Sequence, residues 1–262
     1  MIVFAEQEQY LDEAAAVAQH LHMEVTLSEE EAGQEELILR YGEKGLSLTD
    51  SLSGKNVQQL RGDFTRMLPR LRQANLEREF LVKAARIKGS HEWERRPKAV
   101  DATAGLGEDS ILLAAAGFEV QLFEYDPVIA ALLRDALRRA AQLPELEAIV
   151  SRMRLQEGDS IRALRQIGEC AREAERPDVV VLDPMFPERQ KSALVKKKFQ
   201  LLHQLENPCS TEEEMLEAAL TAGPRKVVIK RPIKGAYLAG RRPDYSLSGK
   251  AIRYDCFTIA RG

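Results

Sequence analysis

The stretch "KAVDATAGLGEDSILLAAAG", residues 98–117, places a short apolar strand, a glycine-containing turn and an apolar helix one after another. Gly105 and Gly107 lack a Cβ atom, so the backbone can turn sharply after the strand. The helix is predicted to end at Gly117, since glycine favours the conformation that closes a helix. A strand that passes directly into a helix is typical of a sheet whose parallel strands alternate with helices.

The same alternation continues along the rest of the chain. Strands and helices are predicted in turn over FEVQLFEYD (118–126), PVIAALLRDALRRAAQL (127–143), MRLQEGD (153–159), SIRALRQIGECAREA (160–174), PDVVVLDP (177–184), TEEEMLEAALTAG (211–223), RKVVIKRP (225–232) and AIRYDCFTIA (251–260). Pro127 suits the first position of its helix, and Ser210 or Thr211 is the predicted N-cap of another. We predict an α/β fold: an open, mostly parallel, twisted sheet with helices on both faces.

The first 75 or so residues are organised differently. A strand (IVFA, 2–5), a helix (10–23) and a hairpin that turns between Gly42 and Gly45 predict a small α+β appendage. The basic segment 64–90 is predicted to be mostly helical, broken near Pro69 and closed by Gly89. The predicted domains are therefore residues 1–75 and 76–262.

Composition excludes several classes of protein. Of the 262 residues, 44% are apolar and 30% are charged, which suits a folded chain with a solvated surface. No apolar run approaches the roughly 18 residues of a membrane span, and the N-terminus does not resemble a secretory signal. The three cysteines and four histidines have no metal-ligand spacing. We therefore expect a cytoplasmic protein with no membrane segment and no metal site.

Charge is distributed unevenly along the chain. Residues 184–262 carry 15 Lys and Arg against 8 Asp and Glu, a net charge of +7, whereas the remainder carries −10. A basic C-terminal third on an acidic body suggests an anionic partner such as nucleic acid. Charge alone supports a solvated face equally well.

The turn after the first strand of the sheet is a predicted cofactor site, because open α/β sheets bind ligands at the carboxyl ends of their strands. A dinucleotide fingerprint reads G-x-G-x-x-G, but the third glycine position here is Ser110. The acids Asp101, Glu108 and Asp109 surround the turn. They would repel a pyrophosphate and attract the sulfonium and ammonium groups of S-adenosylmethionine. Gly105 and Gly107 would let the backbone approach that cofactor. A nicotinamide site and an ordinary strand–turn–helix are the alternatives.

The next two strands end in further candidate cofactor residues. Glu124 lies where a carboxylate can accept hydrogen bonds from both ribose hydroxyls, and Tyr125 could flank the ribose or adenine. Asp159 could accept from the adenine amino group, with Ser160 capping the helix that follows. A plain N-cap is an equally good interpretation of Asp159.

The fourth strand ends in a rigid loop, Asp183-Pro184-Met185-Phe186-Pro187. An amine attached to an aromatic base is a poor nucleophile, because its lone pair is delocalised into the ring. The Asp183 carboxylate and the Pro184 carbonyl could accept the amine protons, and Phe186 could stack on a base removed from its helix. A structural proline loop is the alternative.

The motifs "VDATAGLG" (100–107), "LDPMFP" (182–187) and "QKSALVKK" (190–197) resemble the ribosomal RNA small-subunit methyltransferase J family. "IKG" (87–89) and "KRP" (230–232) resemble it too, whereas the first 75 residues do so only loosely. The resemblance implies a Rossmann-like class I methyltransferase fold. It also implies transfer of a methyl group from S-adenosylmethionine to the N2 amine of a guanosine in small-subunit ribosomal RNA.

The resemblance also implies residue roles and a partner, the ribosomal RNA or the small ribosomal subunit. Cofactor contacts would fall on Glu108, Asp109, Glu124, Tyr125, Asp159, Ser160 and Asp183. Glu108 and Tyr125 stand where the family often has a basic residue. RNA phosphates would meet Lys191, Lys196, Lys197, Lys198, Lys230 and Arg231. Methylation of another nucleic-acid amine, a non-catalytic RNA-binding role and a nicotinamide oxidoreductase are the rival interpretations.

Overall fold

A computed structural model describes residues 1–50, 59–89, 94–170, 172–184 and 211–260. The strands are β1 (Ile2–Ala5), β2 (Val25–Thr26), β3 (Leu37–Gly42), β4 (Gly45–Asp50), β5 (Gln59–Leu60), β6 (Lys98–Asp101), β7 (Glu119–Glu124), β8 (Met153–Glu157), β9 (Val179–Leu182), β10 (Lys226–Pro232), β11 (Tyr245–Ser248) and β12 (Ile252–Thr258). The α-helices are α1 (Leu11–Leu21), α2 (Glu29–Ala32), α3 (Leu68–Leu71), α4 (Gln73–Leu76), α5 (Phe80–Ala85), α6 (Glu108–Ala115), α7 (Pro127–Ala140), α8 (Pro144–Val150), α9 (Ser160–Cys170) and α10 (Glu212–Thr221).

The larger sheet has seven strands in the described residues, in the order β11-β12-β10-β9-β6-β7-β8. The five strands from β10 to β8 are parallel, while β12 and β11 form an antiparallel edge. All four residues of β9 are buried, as expected of a parallel strand covered on both faces. The predicted α/β architecture is confirmed.

The order in which successive strands are added to this sheet reverses at the boundary between the neighbouring strands β6 and β9. From β6 the chain continues through β7 to β8, and then returns to the other side of β6 to form β9 and β10. Ligands of open α/β sheets bind at such a switch point, beyond the carboxyl ends of the strands. Asp101 ends β6 and Asp183 follows β9, so both acids lie at the switch point.

Helices cover both faces of the sheet. On one face, α5, α6 and α8 build an apolar cluster that includes Leu81, Leu112 and Leu146. On the other face, α9 and α10 contribute Leu164 and Leu216 to a second cluster. Within the described ranges, no helix is long and apolar enough to cross a membrane.

Of two predicted helix boundaries, the N-cap of α10 is confirmed and the break in the basic segment differs from the structure. The N-cap of α10 is Thr211, whose Oγ1 accepts from the Glu214 backbone N–H at 3.2 Å, while Ser210 lies outside the described residues. In the basic segment, the chain breaks at Arg72, which is extended with ψ 135°, and not at Pro69. Pro69 lies in the first turn of α3, where its missing N–H costs no hydrogen bond.

The N-terminal residues form a second sheet, with five strands in the order β2-β1-β3-β4-β5, and the predicted hairpin is β3–β4. This sheet packs on α7 through an apolar cluster that includes Leu46, Leu48 and Leu132. The buried Asp135 of α7 accepts from the Leu46 backbone N–H at 2.9 Å. We propose that residues 1–75 form a unit docked onto this helix.

Candidate active site

The glycine turn between β6 and α6 leaves open space at one position and is tightly packed at the other. Both glycines have positive φ, +53° at Gly105 and +78° at Gly107, which disfavours any residue with a side chain. A Cβ at Gly107 would lie 2.8 Å from Leu133 and 3.1 Å from Phe64. A Cβ at Gly105 would meet nothing within 4 Å, so the backbone there faces a space that a ligand can enter.

Glu124 ties the end of β7 to this turn. Its Oε2 accepts from the Gly105 backbone N–H at 2.8 Å, and its Oε1 accepts from the Asp126 backbone N–H at 2.9 Å. These contacts hold the carboxylate at the mouth of the turn. Tyr125 is 55% exposed beside it, which leaves its ring accessible to a ligand.

Asp101 is buried beneath the turn. It accepts from the Ser110 hydroxyl at 2.5 Å and from the Thr103 backbone N–H at 3.2 Å. Burial raises the pKa of Asp101 to about 6, the two hydrogen bonds oppose that rise, and the nearby charges of Asp109 and Asp183 add to it. This carboxyl therefore has a strongly perturbed pKa in a cleft, which is typical of functional sites.

Lys230 joins two further acids across the switch point. Its Nζ lies 2.7 Å from Asp109 Oδ2 and 2.9 Å from Asp183 Oδ2. The Asp183 backbone N–H donates to Thr103 Oγ1 at 2.6 Å. Asp183 is thus held from two sides, at its backbone by Thr103 in the turn after β6 and at its carboxylate by Lys230 of β10.

The pKa values of this cluster reflect burial opposed by charge pairing. Burial raises the pKa of Asp183 above its ordinary value, while the Lys230 ammonium lowers it and Asp109 raises it. For Lys230, burial by itself lowers the pKa, but the two carboxylates together raise it above its ordinary value. The lysine therefore carries its charge throughout the neutral range.

The expected contact of Lys230 and Arg231 with RNA phosphates disagrees with the structure. The Lys230 ammonium is occupied by the two acids. Arg231 is only 6% exposed, and its Nε donates to the Ala236 carbonyl at 3.0 Å. Its guanidinium also lies 3.6 Å from Glu212, so both charges are paired with acids inside the protein. A sequence pattern identifies charge but not burial.

The end of β8 also differs from the sequence-based expectation. Asp159 and not Ser160 caps α9, because Asp159 Oδ1 accepts from the backbone N–H groups of Ile161 at 2.8 Å and Arg162 at 3.3 Å. Ser160 is 8% exposed and lies within the helix, so it is a poor candidate for an adenine contact. Gly158 has φ +127° and open space where a Cβ would be, which adds a second open glycine to the cleft.

The remaining candidates are distributed as follows. Glu108 is exposed in the first turn of α6, and Pro184 is buried directly after Asp183. Phe186, Lys191, Lys196, Lys197 and Lys198 lie outside the described residues. Within the described ranges, no group of three or more His, Cys, Asp or Glu side chains is arranged to hold a metal ion.

Sequence reasoning missed the roles of three residues in the cleft. Thr103 supports Asp183, Ser110 binds Asp101, and Lys230 pairs with two acids. The polar positions of "DATAGLGEDS" were a signal for the first two, since they flank the turn. Lys230 gave no local signal, because Asp109 is 121 residues away in sequence and Asp183 follows the neighbouring strand β9.

Comparisons with known proteins give a consistent result. A family model described as "Putative SAM-dependent methyltransferase" matches residues 20–259. The ribosomal RNA small subunit methyltransferase J of Thioalkalivibrio sulfidiphilus is 41% identical over 253 residues, which cover 95% of this chain and 94% of that protein. The protein of the same name from Pseudomonas paraeruginosa is 48% identical over 162 residues, which are 62% of this chain and 60% of that protein.

A solved structure is also similar along the whole chain. The crystal structure of a SAM-dependent methyltransferase from Neisseria gonorrhoeae has a TM-score of 0.74 and 27% identity, and the match covers 98% of this chain and 96% of that one. The similarity therefore includes the N-terminal unit, where the sequence motifs indicated only a loose resemblance.

Proposed function

Because the chain belongs to the ribosomal RNA small subunit methyltransferase J family, we propose that it methylates the exocyclic N2 amine of a guanosine in small-subunit ribosomal RNA. It is an S-adenosylmethionine-dependent methyltransferase, and the nicotinamide alternative is therefore wrong. The observation that carries the amine assignment is the position of Asp183. Its carboxylate is fixed at the switch point beside the open glycine turn and is followed at once by the buried Pro184.

The chemistry of the cleft fits this cofactor. The open space at Gly105 and Gly158 can admit a ligand against bare backbone. The acids Asp101, Asp109 and Asp183 suit a ligand that carries an ammonium and a sulfonium, and they would oppose a pyrophosphate. Asp101, which is buried at the base of the turn, is the member of this group that best suits the amino-acid end of the cofactor.

Glu124 and Tyr125 are the proposed partners of the ribose and adenine. A carboxylate can accept about four hydrogen bonds, so the two backbone contacts of Glu124 are compatible with two more from ribose hydroxyls. The exposed Tyr125 ring can flank the sugar or base. Asp159 orients the N-terminus of α9 toward the cleft as its cap, and its second carboxylate oxygen is the proposed acceptor for the adenine amino group.

Asp183 is the proposed acceptor for the target amine. S-adenosylmethionine supplies the methyl group on a sulfonium, whose C–S bond breaks with its electron pair left on sulfur as the new N–C bond forms. The Asp183 carboxylate and the Pro184 carbonyl accept hydrogen bonds from the amine protons, which keeps the nitrogen lone pair out of the ring and directs it toward the methyl group. The nitrogen then loses one proton, which Asp183 is placed to accept before releasing it to water.

RNA binding is assigned to lysines that come after Asp183 in the sequence. Lys191, Lys196, Lys197 and Lys198 follow the Asp183–Pro187 loop in sequence and would contact backbone phosphates. Phe186 would stack on the target guanine once it leaves its helix. Lys230 and Arg231 are removed from this group because their charges are paired inside the protein.

Identification of the methylated nucleoside tests the proposal. The protein is incubated with methyl-labelled S-adenosylmethionine and either small ribosomal subunits or naked small-subunit RNA from cells that lack it. Digestion to nucleosides is expected to yield labelled N2-methylguanosine. Label in another methylated nucleoside would support the rival amine substrate, and RNA binding without any transfer would support the non-catalytic interpretation.

A further inference from the structure

Lys230 has a defined place in the sheet beside Asp183. In the pairing of β10 with β9, Ile229 lies opposite Leu182, so the next residue along each strand brings Lys230 alongside Asp183. In the pairing with β12, Lys230 lies opposite Tyr254, which is 7% exposed. The lysine is therefore held by two neighbouring strands, with its ammonium directed to the carboxyl edge where it contacts both acids.

We propose that Lys230 is a positioning residue for methyl transfer: its ammonium fixes the Asp183 carboxylate and keeps it charged, so that Asp183 can only accept hydrogen bonds. This inference rests on the proposed function of Asp183. Lys230 acts through Asp183 and is not required to touch RNA or cofactor. It replaces the RNA-phosphate role that the sequence suggested for this lysine.

The cleft needs such a cation because it concentrates negative charge. Among the described residues, the charged and titratable groups that face Asp183 are Asp101 from β6, Asp109 from α6, Lys230 and Arg231 from β10 and Tyr254 from β12, with Arg70 of α3 beside Tyr254. Carboxylates that share a partly buried site tend to share a proton. Without Lys230, that proton would reside on Asp183 or Asp109.

Protonation of Asp183 would oppose the proposed chemistry. A neutral carboxyl presents an O–H donor, which would compete with the amine protons and could donate to the lone pair that must attack. A charged carboxylate presents acceptors only. The pairing with Lys230 therefore has a chemical consequence beyond holding β10 against α6 and β9.

Four variants separate this role from a structural one. Lys230→Met removes the ammonium but keeps an unbranched apolar stem, and Lys230→Arg keeps the charge. Lys226→Met is the matched control, because it removes another buried ammonium from the same face of β10, one that donates to the Ala84 and Arg86 carbonyls at 2.8 Å. The double variant Asp109→Asn/Lys230→Met removes one acid with the lysine, which avoids two unpaired carboxylates if Lys230→Met fails to fold.

Single-turnover methyl transfer is measured against pH with saturating cofactor and RNA substrate. Removing an opposite charge at this distance should move the acid limb of the profile upward by about 1–3 pH units. We expect this shift in Lys230→Met, a profile close to wild type in Lys230→Arg, and no shift in Lys226→Met. The double variant should show a smaller upward shift, because it also removes the Asp109 charge that raises the Asp183 pKa. An unshifted acid limb in the folded lysine-to-methionine variants would overturn the proposal.

A second measurement keeps this inference distinct from the proposed function. The Asp183 carboxyl is titrated by carbon NMR in the wild-type protein and in Lys230→Met. The Asp183→Asn variant identifies its signal. An upward shift of the Asp183 pKa in Lys230→Met supports the charge-holding role even if wild-type protein transfers no methyl group. An unchanged Asp183 pKa in Lys230→Met, together with normal methyl transfer by wild type, would reject the proposed role of Lys230 and leave the proposed function intact.

Discussion

The backbone N–H of Gly105 lies 2.8 Å from Oε2 of Glu124, so the turn after β6 and the end of β7 are joined by a hydrogen bond to a charged acceptor. The contact closes one side of the open cleft. It also fixes the carboxylate where a ribose would lie against the turn. Glu124 therefore shapes the turn, and the proposed cofactor contact would be its second role.

Glu124→Ala is expected to weaken cofactor binding. Hydrogen bonds to a charged group contribute about 1.5–3 kcal/mol, so affinity for S-adenosylhomocysteine should fall by about 10- to 150-fold. Titration calorimetry measures this loss. Glu119→Ala is the control, because Glu119 is an exposed acid at the opposite end of the same strand. Equal affinity in the two variants would remove Glu124 from the cofactor site.

The raised pKa of Asp101 predicts an unusual dependence of folding stability on pH. Its folded-state pKa is raised to about 6 from 3.8, so the folded protein binds more protons than the unfolded chain between these values. The contribution of Asp101 to stability is therefore largest below about pH 4 and is lost as pH rises through about 6.

Asp101→Asn should remove the loss of folding stability that occurs as pH rises through about 6. Compared with wild type, the variant should gain stability at about pH 8, by at most about 3 kcal/mol, and gain little at about pH 4. Urea unfolding at the two pH values measures the difference, and cofactor binding should weaken at the same time. A gain that is the same at both pH values would contradict a raised pKa for this carboxyl.

The N-terminal unit should depend on Asp135 for its docking. This buried carboxylate accepts from the Leu46 backbone N–H and pairs with Arg139 at 2.8 Å. Asp135→Ala leaves a buried backbone donor unsatisfied, which costs about 1–3 kcal/mol. Thermal unfolding and limited proteolysis of residues 1–75 are the measurements, with the exposed Asp12→Ala as control. Unaltered stability would mean that the unit docks through its apolar contacts alone.

The parts of the fold that the sequence predicted are those encoded locally. The turn at Gly105 and Gly107, the start of α7 at Pro127 and the cap at Thr211 each depend on residues within one or two turns of chain. The alternation of strands and helices then determines a parallel sheet, because strand–helix–strand connections are almost always right-handed.

The parts that were missed depend on contacts between distant residues. Lys230 was assigned to RNA because charge is visible in a sequence, whereas its burial against Asp109 depends on the order of strands. The edge strand Tyr245–Ser248 was missed, since pairing with β12 and not a strong apolar pattern forms it. The cap expected at Ser160 was wrong by one residue, and backbone geometry decides in favour of Asp159, for which an N-cap was one of the two interpretations.

The lysine run after the Asp183 loop should determine the salt dependence of RNA binding. Changing Lys196, Lys197 and Lys198 together to Gln should weaken binding and flatten the dependence of affinity on salt, because fewer counterions are released. Affinity for S-adenosylhomocysteine should be unchanged. Filter binding at several salt concentrations measures the slope.

A matched triple variant controls for net charge. Arg96, Arg154 and Arg172 are exposed and lie toward the amino ends of the parallel strands, away from the cleft. Their change to Gln should leave the slope near that of wild type. If both triple variants lower the slope of affinity against salt equally, RNA binding depends on the overall charge of the protein and not on a site beside the loop.

Single-turnover methyl transfer by Asp183→Ala, at saturating cofactor and with circular dichroism to establish the fold, tests the central claim most directly. Removing one preorganised partner of the reacting group costs about 100- to 1,000-fold in rate by analogy with oxyanion-hole donors. Asp183→Asn keeps one acceptor oxygen and should fall between this variant and wild type. We expect a folded Asp183→Ala protein that binds RNA and transfers methyl groups at least about 100-fold more slowly than wild type. Transfer within a few-fold of wild type by that folded variant would rule out a catalytic role for Asp183 and make the Asp183–Pro187 loop a structural element.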